Sequence, residues 1–468
     1  MRNGMAWLVC VLVFSVGGLA TWSLTRGQPP ADASRLPVPS GAESAKSEPP
    51  APAPAPPASP VGTPAAGDPA PLVPAVPGPR EDTASGEFPL RKDVEISMSC
   101  GAQWLFRMNT VKGRFLPGWL PSLNAVMEGD DYLRQAGAAL ALARAARHTG
   151  QNEDPRSKEI ARNYAARATQ AVLALLDDTV AEPDPSDATV TLRHLRHPAP
   201  ANLLAAAGLL VAAINELPAP EKDILDKSEE LCNYLRKQQR PDGSVTWTEG
   251  DDKAAAAEPD GVNLYPGPAL YGLMRSQAHR PAAWKTDVVR KALAYYAPWW
   301  RAHRTMTFVP WQTATYAEAF LLSKEKPFAD FVFEMNDWLC GKQHENLDPR
   351  HPAWLGGFMT WADGQALATA PDVSSACYAE SLAEACRVAR EAADLPRHKR
   401  YRAALESSLQ FLTTLQYRES NTHHFEYDYR LGLLVGGFHG SHQNGELRLD
   451  STQHAVCAMI QYLAYVAR

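Results

Sequence analysis

The chain has no excess of positive charge. Its 46 lysines and arginines are outnumbered by 52 aspartates and glutamates, so the formal net charge is −6. Proteins that bind nucleic acids concentrate basic side chains on one face or along one helix. The composition therefore argues against nucleic acid as a partner.

Several common catalytic signatures are also missing. The sequence contains no Gly-x-Ser-x-Gly motif, no glycine-rich phosphate loop and no dinucleotide-binding fingerprint, so we expect no cofactor. Histidines do gather around the glycine-rich loop 436–445, at His423, His424, His439 and His442. A His-x-x-His pair in a loop lacks the fixed helical spacing of a dedicated metal site. We therefore predict no metal and interpret the segment as a surface or sugar-contacting loop.

Cysteine is scarce, with seven residues in the chain. Cys10 falls in the apolar N-terminal segment, and the other six form an even number that would permit disulfide bonds in an oxidising compartment. Each of the six lies in a helical pattern among apolar neighbours. Buried free thiols are therefore the preferred interpretation, and disulfides are the alternative.

Large apolar side chains are nearly absent from residues 28–88, which are rich in proline and alanine. Such a segment cannot offset the entropy of ordering, so we expect a disordered, extended linker. Residues 1–27 before it contain an apolar stretch, Met5 to Leu24, that is long enough to span a bilayer. We expect a signal anchor that leaves the rest of the chain on the periplasmic or extracellular side. A signal peptide cleaved near Ala20 is the alternative.

Residues 89–468 contain twelve helical patterns that alternate in character. The first of each pair is amphipathic, whereas the second is largely apolar, as expected of a helix surrounded on all sides. Mostly long loops join the two members of a pair, and short loops join successive pairs. The first helices end near Asn109, Asp178, Gln239, Arg301, Gln343 and Gln416, and the second begin near Asp130, Pro198, Leu264, Pro310, Asp372 and Asp450.

This alternation predicts an all-α domain, an (α/α)6 toroid of six outer–inner helix pairs. In a toroid the long loops and the N-terminal ends of the inner helices share one face, which we call the long-loop face. An open helical solenoid is the alternative, but it would need polar capping helices at both ends. The last helix is among the most apolar, which favours the closed ring.

A short phrase recurs at the ends of four first helices. An apolar or aromatic residue is followed, after three others, by an amide residue, and the next loop carries glycine. The copies are Leu105–Asn109, Tyr234–Gln238, Leu339–Gln343 and Leu412–Gln416. Four copies in the same order indicate an internal repeat.

The Tyr234–Gln238 phrase with Pro241-Asp242-Gly243 resembles the repeat of squalene cyclases and protein prenyltransferases. The overall spacing is similar to that of the (α/α)6 barrels of glycoside hydrolases, uronate lyases and sugar epimerases. Both resemblances imply the toroid. The sequence departs from the cyclases at Val245, where their repeat has Trp, and it lacks their Asp-x-Asp-Asp acid. No spacing matches the prenyltransferase zinc ligands either, so the resemblance does not carry a function.

Candidate site residues lie at or near the N-terminal ends of the inner helices, where free N–H groups and the helix dipole favour anionic ligands. Ring closure would bring the first and last inner helices together, so Asp131, Asp450 and His454 are the predicted catalytic residues. The predicted substrate-binding residues are Arg134, Tyr265, Trp311, Trp354, Tyr378, Glu380 and Arg448. Helix capping by the aspartates and a buried structural network are the alternatives.

Together these features favour a membrane-tethered, exported protein that acts on or binds a polysaccharide or glycan at the long-loop face. The expected chemistry is the acid–base catalysis of a hydrolase, lyase or epimerase, and a small molecule is an alternative ligand. Two other functions stay open. One is a non-catalytic binding or scaffold module, because no unmistakable catalytic set is present. The other is a terpenoid cyclase-like or prenyltransferase-like toroid that lacks the usual acid.

Overall fold

The computed structural model describes residues 87–196, 203–248, 260–362, 364–367 and 369–467. The predicted anchor (1–27) and all but the last two residues of the predicted linker (28–88) lie outside these ranges. Within them, no helix is both long and apolar enough to cross a membrane.

The described residues contain six pairs of long helices. The outer helices are α1 (Glu87–Met108), α3 (Pro155–Leu176), α5 (Lys222–Lys237), α7 (Ala283–Ala302), α9 (Lys326–Cys340) and α11 (Leu395–Thr414). The inner helices are α2 (Tyr132–Thr149), α4 (Leu203–Glu216), α6 (Pro266–Ser276), α8 (Val309–Ser323), α10 (Ser375–Glu391) and α12 (Leu449–Tyr465). Each inner helix contacts the next, and α12 contacts α2. The ring is closed, which confirms the predicted (α/α)6 toroid.

Burial follows the difference between the two helix types. Every residue of α4 is buried, whereas the amphipathic α5 buries only the face that contains Ile224, Leu231 and Leu235. An apolar helix loses water-exposed surface on all sides when it is placed inside the ring, and an amphipathic helix keeps its charged face in water. Side-chain polarity therefore decides which helix of each pair is inner.

Short strands occupy several of the loops, a feature that the helical patterns did not predict. The strands are β1 (Gly118–Leu120), β2 (Ala125–Val126), β3 (Thr179–Asp184), β4 (Asp187–Leu195), β5 (Thr360–Ala362), β6 (Gln365–Leu367), β7 (His439–Ser441) and β8 (Asn444–Arg448). They form an antiparallel sheet in the order β2-β1-β8-β7 and the hairpins β3-β4 and β5-β6. Because β1 lies between α1 and α2 and β8 immediately precedes α12, the larger sheet joins the first pair of helices to the last.

Three of the four repeated amide residues, Gln239, Gln343 and Gln416, link neighbouring outer helices through their side chains. At the end of α11, the Gln416 side chain donates to the Ser97 carbonyl of α1 at 2.8 Å and to the Gly436 carbonyl at 3.0 Å. Gly436 has a φ of 99° and packs against the Cys100 carbonyl, where a Cβ atom would collide with it. A glycine is therefore required at the point where the last outer helix meets the first.

One copy of the repeat was placed one residue too early. The equivalent amide is Gln239, not Gln238, because Gln239 forms the backbone bridge to Val245. Its side chain donates to the Val288 carbonyl of α7 at 2.8 Å and to the Gly243 carbonyl at 3.2 Å. Asn109, Gln343 and Gln416 form the corresponding bridges in the other three copies.

The six cysteines of the described residues are all free, as predicted. Cys232, Cys340, Cys386 and Cys457 are buried. Cys100 and Cys377 are partly exposed, so complete burial was wrong for these two.

Candidate functional site

The N-terminal ends of the inner helices surround a cavity of about 380 Å³. Residues of α2, α4, α8, α10 and α12 line it, together with Leu264 and Tyr265 just before α6. Eight of the ten predicted site residues are among them: Asp131, Arg134, Tyr265, Trp311, Tyr378, Arg448, Asp450 and His454. The structure thus brings most of the predicted site to one place, while the role of each residue stays a prediction.

Two predicted substrate-binding residues do not line this cavity. Trp354 lies in a helical turn, Pro352–Trp354, of the loop between α9 and α10, where its ring stacks on His351 with 4.0 Å between ring centroids. The turn holds this ring within its own loop. Glu380 lies one layer deeper, behind His454, and borders a second, smaller void. Neither side chain lines the space in which we expect the ligand.

A single guanidinium group joins the two predicted catalytic carboxylates. Arg134 Nε lies 3.3 Å from Asp131 Oδ2 and 3.3 Å from Asp450 Oδ2. Asp131 also caps α2, since its Oδ1 accepts the Arg134 backbone N–H at 2.7 Å. Burial raises the pKa of Asp131, although the hydrogen bond and charge of Arg134 act in the opposite direction. The capping role and the place in the cavity are therefore compatible.

The second carboxylate, Asp450, stands in the first turn of α12. Its two oxygens accept Arg448 Nε at 3.0 Å and Arg448 Nη2 at 2.6 Å. Burial by itself would raise the pKa of Asp450, but the hydrogen bonds to Arg448 and the charges of Arg448 and Arg134 outweigh it and lower the pKa. The environments of Asp131 and Asp450 thus shift their pKa values in opposite directions, as in pairs that divide acid and base roles.

His454 follows Asp450 by one helical turn and lies on the floor of the cavity. Its Nδ1 is 2.5 Å from Glu380 Oε1, and its ring meets Trp311 edge-on at 5.9 Å. Burial would lower the pKa of His454, but interactions with Cys377 and Glu380 outweigh burial and raise it well above the ordinary value. The imidazole is therefore expected to be protonated at neutral pH, which places a positive charge in the cavity.

Aromatic rings form part of the cavity wall. Tyr265, Trp311 and Tyr378 contribute from three successive inner helices or their approaches. Tyr265 packs against Trp247 at 5.9 Å, Trp311 against Tyr271 at 5.6 Å and Tyr378 against Phe358 at 5.0 Å, so a neighbouring ring holds each of the three in place. Rings of this kind offer apolar faces beside polar groups, an arrangement suited to sugars.

The sequence interpretation missed Cys377. This residue was not among the predicted site residues, but the structure places it in the cavity wall at the start of α10. A signal was available, because Cys377 precedes Glu380 by three residues and so shares its helix face. No cluster of three His, Cys, Asp or Glu side chains that could hold a metal ion occurs in the described part of the chain.

Comparisons with known proteins identify a shared fold but no family. No family model and no curated protein matches the chain. An unsaturated glucuronyl hydrolase from Streptococcus agalactiae matches with a TM-score of 0.50 and 13% identity, over 80% of this chain and 92% of that one. An unsaturated glucuronyl hydrolase specific for heparin matches with a TM-score of 0.51 and 13% identity, over 81% and 97%.

An inactive variant of an alpha-1,6-mannanase from a Salegentibacter species, in complex with alpha-1,6-mannotetrose, matches with a TM-score of 0.50. Its identity is 10%, over 80% of this chain and 99% of that one. At such identities the matches show the fold alone. The chain shares the (α/α)6 toroid of carbohydrate-active hydrolases.

Proposed function

We propose that the protein cleaves a glycosidic bond in a polysaccharide or glycan bound in the cavity. The observation that carries this proposal is the pair of carboxyl groups, Asp131 and Asp450, which lie at the same distance from Arg134 Nε and have oppositely shifted pKa values. Glycosidases commonly need one carboxyl group that keeps its proton and one that stays ionised.

The pKa shifts of Asp131 and Asp450 assign their roles in the reaction. Asp131, with its raised pKa, donates a proton to the departing glycosidic oxygen. Asp450, with its lowered pKa, stays ionised and balances the positive charge that develops on the sugar ring. The cationic groups of Arg448 and His454 bind anionic or polar substituents of the sugar, and the aromatic wall packs against its apolar face. A cavity of about 380 Å³ falls within the range of ~300–1,000 Å³ that is usual for small-ligand sites.

The fold comparisons support a glycan as the ligand class. The matched hydrolases act on uronate-containing or mannose-containing glycans by their names, and the mannanase binds a mannotetrose. A toroid with an aromatic-walled cavity at the N-terminal ends of its inner helices is a suitable site for an oligosaccharide. Which sugar is bound is tested by the panel of oligosaccharides described next.

The test is hydrolysis of a panel of neutral and acidic oligosaccharides by wild type, Asp131→Asn and Asp450→Asn. We expect each variant to fold normally and to lose turnover by about 10²–10⁴-fold. Asp330→Asn is the matched control, since Asp330 is an exposed residue of α9 that pairs with Lys326. Wild-type turnover in both cavity variants would contradict the proposal.

A non-catalytic glycan-binding module is the second candidate. It is favoured by the ion pairs themselves, because capping of α2 and pairing with Arg134 and Arg448 account for both aspartates without catalysis. Oligosaccharide binding by calorimetry without any hydrolysis by the wild type would select this function.

The same proposal places the toroid outside the cell membrane, held by an anchor in residues 1–27 and a linker in residues 28–88. The apolar run and the proline-rich composition of these segments support it. The full chain should sediment with membranes, and a chain that lacks residues 1–88 should be soluble and unfold cooperatively. Recovery of the full, uncleaved chain in the soluble fraction would contradict the anchor.

A further inference from the structure

A thiol, an imidazole and a carboxyl group lie together at the cavity floor. Cys377 and Glu380 share one face of α10. Glu380 Oε1 lies 2.5 Å from His454 Nδ1 of α12, and interactions with both Cys377 and Glu380 raise the pKa of His454. Cys377 and His454 line the cavity, whereas Glu380 lies behind His454. These are the three kinds of group found where a base activates a nucleophile and a third group orients the base.

Cys377 differs from the other cysteines of the described residues. Cys232, Cys340, Cys386 and Cys457 are buried, and burial raises the pKa of each thiol. Cys100 is partly exposed like Cys377, but it does not line the cavity. Of the six, Cys377 alone lines the cavity.

The backbone hydrogen bonds around Cys377 indicate which class of electrophile its thiol could attack. The first N–H groups of α10 all donate within their own turn, those of Ser375, Ala376 and Cys377 at 3.2, 2.9 and 2.9 Å. Acyl transfer needs free donors that stabilise an oxyanion next to the nucleophile, and this turn has none to offer. Attack on the anomeric carbon of a sugar creates no oxyanion, so a glycosyl group suits the site better than an acyl group.

We propose that Cys377 is the nucleophile of the glycosidic cleavage, with His454 holding the thiol proton and Glu380 orienting His454. This inference rests on the function proposed above. The Cys377 thiolate forms a C–S bond to the anomeric carbon while the C–O bond to the leaving group breaks, and Asp131 supplies a proton to the departing oxygen. Water then attacks the same carbon, the C–S bond breaks, and the proton from water restores Asp131.

The thiolate is regenerated beside His454, and water is the only co-reactant. Two successive displacements at one carbon return it to its original configuration. The expected product therefore keeps the anomeric configuration of the substrate.

Alkylation by iodoacetamide tests the activated thiol without any substrate. In the full chain, peptide mass mapping should show Cys377 reacting roughly tenfold or more faster than Cys100, because the thiolate is the reactive form. His454→Gln should reduce the Cys377 rate to that of Cys100 and leave the Cys100 rate unchanged. If His454→Gln does not fold, Glu380→Gln replaces it, and the same reduction of the Cys377 rate is expected. Equal rates for Cys377 and Cys100 in the folded wild type would overturn the proposal.

A panel of nitrophenyl glycosides tests the nucleophile. Mass spectrometry after acid quenching should find a glycosyl adduct on Cys377, and product NMR should show retained configuration. Cys377→Ala should lose turnover by at least about 10²-fold, whereas Cys100→Ala should keep it. An active Cys377→Ala variant or an inverted product overturns the assignment of Cys377 while leaving the proposed function intact. A third outcome is selective alkylation of Cys377 in a wild type that cleaves no glycoside. That outcome would overturn the proposed function and the role of Cys377 in it, but it would support an activated thiol at this position.

Discussion

Two clusters of charge lie at different levels of the inner ring, and they are built differently. The cavity cluster consists of Asp131, Arg134, Arg448 and Asp450 at the N-terminal ends of inner helices. The axial network occupies the C-terminal halves of these helices and consists of Arg144, Glu216, Arg275, Glu318, Glu384 and Arg387. The first borders an open cavity, whereas the second is enclosed by the ring.

In the axial network, charges of opposite sign alternate at short distances. Arg275 lies 2.6 Å from Glu216 and 3.1 Å from Glu318, and Arg387 lies 2.7 Å from Glu318. Burial alone would raise the pKa of Glu318, but the two arginines outweigh it and lower the pKa. Glu384, which borders the void beneath His454, is an exception, because burial raises its pKa.

Under the proposed function, this difference separates the charged groups that stabilise the fold from those that take part in the reaction. Where each buried carboxylate meets enough positive charge, as at Glu318, it is held ionised and serves the structure. Where the effect of burial exceeds that of nearby positive charge, as at Asp131, the carboxyl group retains its proton more readily and can donate it. Removing charge from each cluster in turn tests this comparison.

The largest effect is expected in the axial network. Glu318→Gln would remove a negative charge from the buried arginines Arg275 and Arg387. Breaking a buried ion pair in this way typically lowers the free energy of unfolding by about 3–5 kcal/mol. Urea denaturation of wild type and variant measures the loss directly. A loss below about 1 kcal/mol would show that the buried network is not what stabilises the ring.

Asp450→Asn should cost less, on the order of 1 kcal/mol, because this side chain is 26% exposed and water screens its pairs. Since folding lowers the pKa of Asp450, its stabilisation is present above the ordinary value of 3.8 and is lost as the pH falls through the folded-state pKa. The free energy difference between wild type and variant should therefore be constant from neutral pH down to about pH 5 and shrink below 3.8. A difference that grows on acidification would contradict this assignment.

An exposed arginine with two acidic partners shows how much burial contributes to the stability of such ion pairs. Arg290 contacts Glu325 at 2.8 Å and Asp287 at 2.5 Å, distances as short as those in the axial network, but its side chain is 49% exposed. Arg290→Ala should change the free energy of unfolding by only about 0.5 kcal/mol. A cost similar to that of Glu318→Gln would mean that geometry, and not burial, sets the energy of these pairs.

The smallest effect on stability is expected for Asp131→Asn, within about 0.5 kcal/mol. Asparagine caps a helix as well as aspartate does, so α2 should keep its cap. Because folding raises the pKa of Asp131, its contribution is complete at low pH and is lost as the pH rises through the folded-state pKa. The variant should thus be as stable as the wild type, or slightly more stable, at pH 7. A thermal melt checks this, and a large loss would assign Asp131 a structural role.

Much of the fold could be predicted because it follows from local patterns. The apolar character of α4 and α12 and the short links between pairs were enough to predict a closed ring. Ring closure in turn predicted that Asp131 and Asp450 would lie together, and Arg134 joins them in the structure. The amide of the second repeat copy was misplaced because Gln238 and Gln239 are adjacent amide residues, and only the backbone bridge to Val245 distinguishes them.

The missed features depend on contacts between distant parts of the chain. Single charges in otherwise apolar helices, such as Arg144 and Glu318, were visible in the sequence but were not recognised as a network. Trp354 was assigned to the site because its loop is on the long-loop side, yet its own turn holds the ring against His351. Glu380 was assigned to the substrate, but it contacts His454 instead.

The sequence by itself determined twelve helices, their division into inner and outer members and their order around a ring. Hydrophobic periodicity and loop length act over a few residues, so they can be read along the chain. Tertiary structure alone decided which carboxyl group is inclined to keep its proton and that Cys377, Glu380 and His454 meet. Ion pairing and desolvation depend on separations of a few ångströms between side chains far apart in sequence, and only the packing of the helices sets those separations.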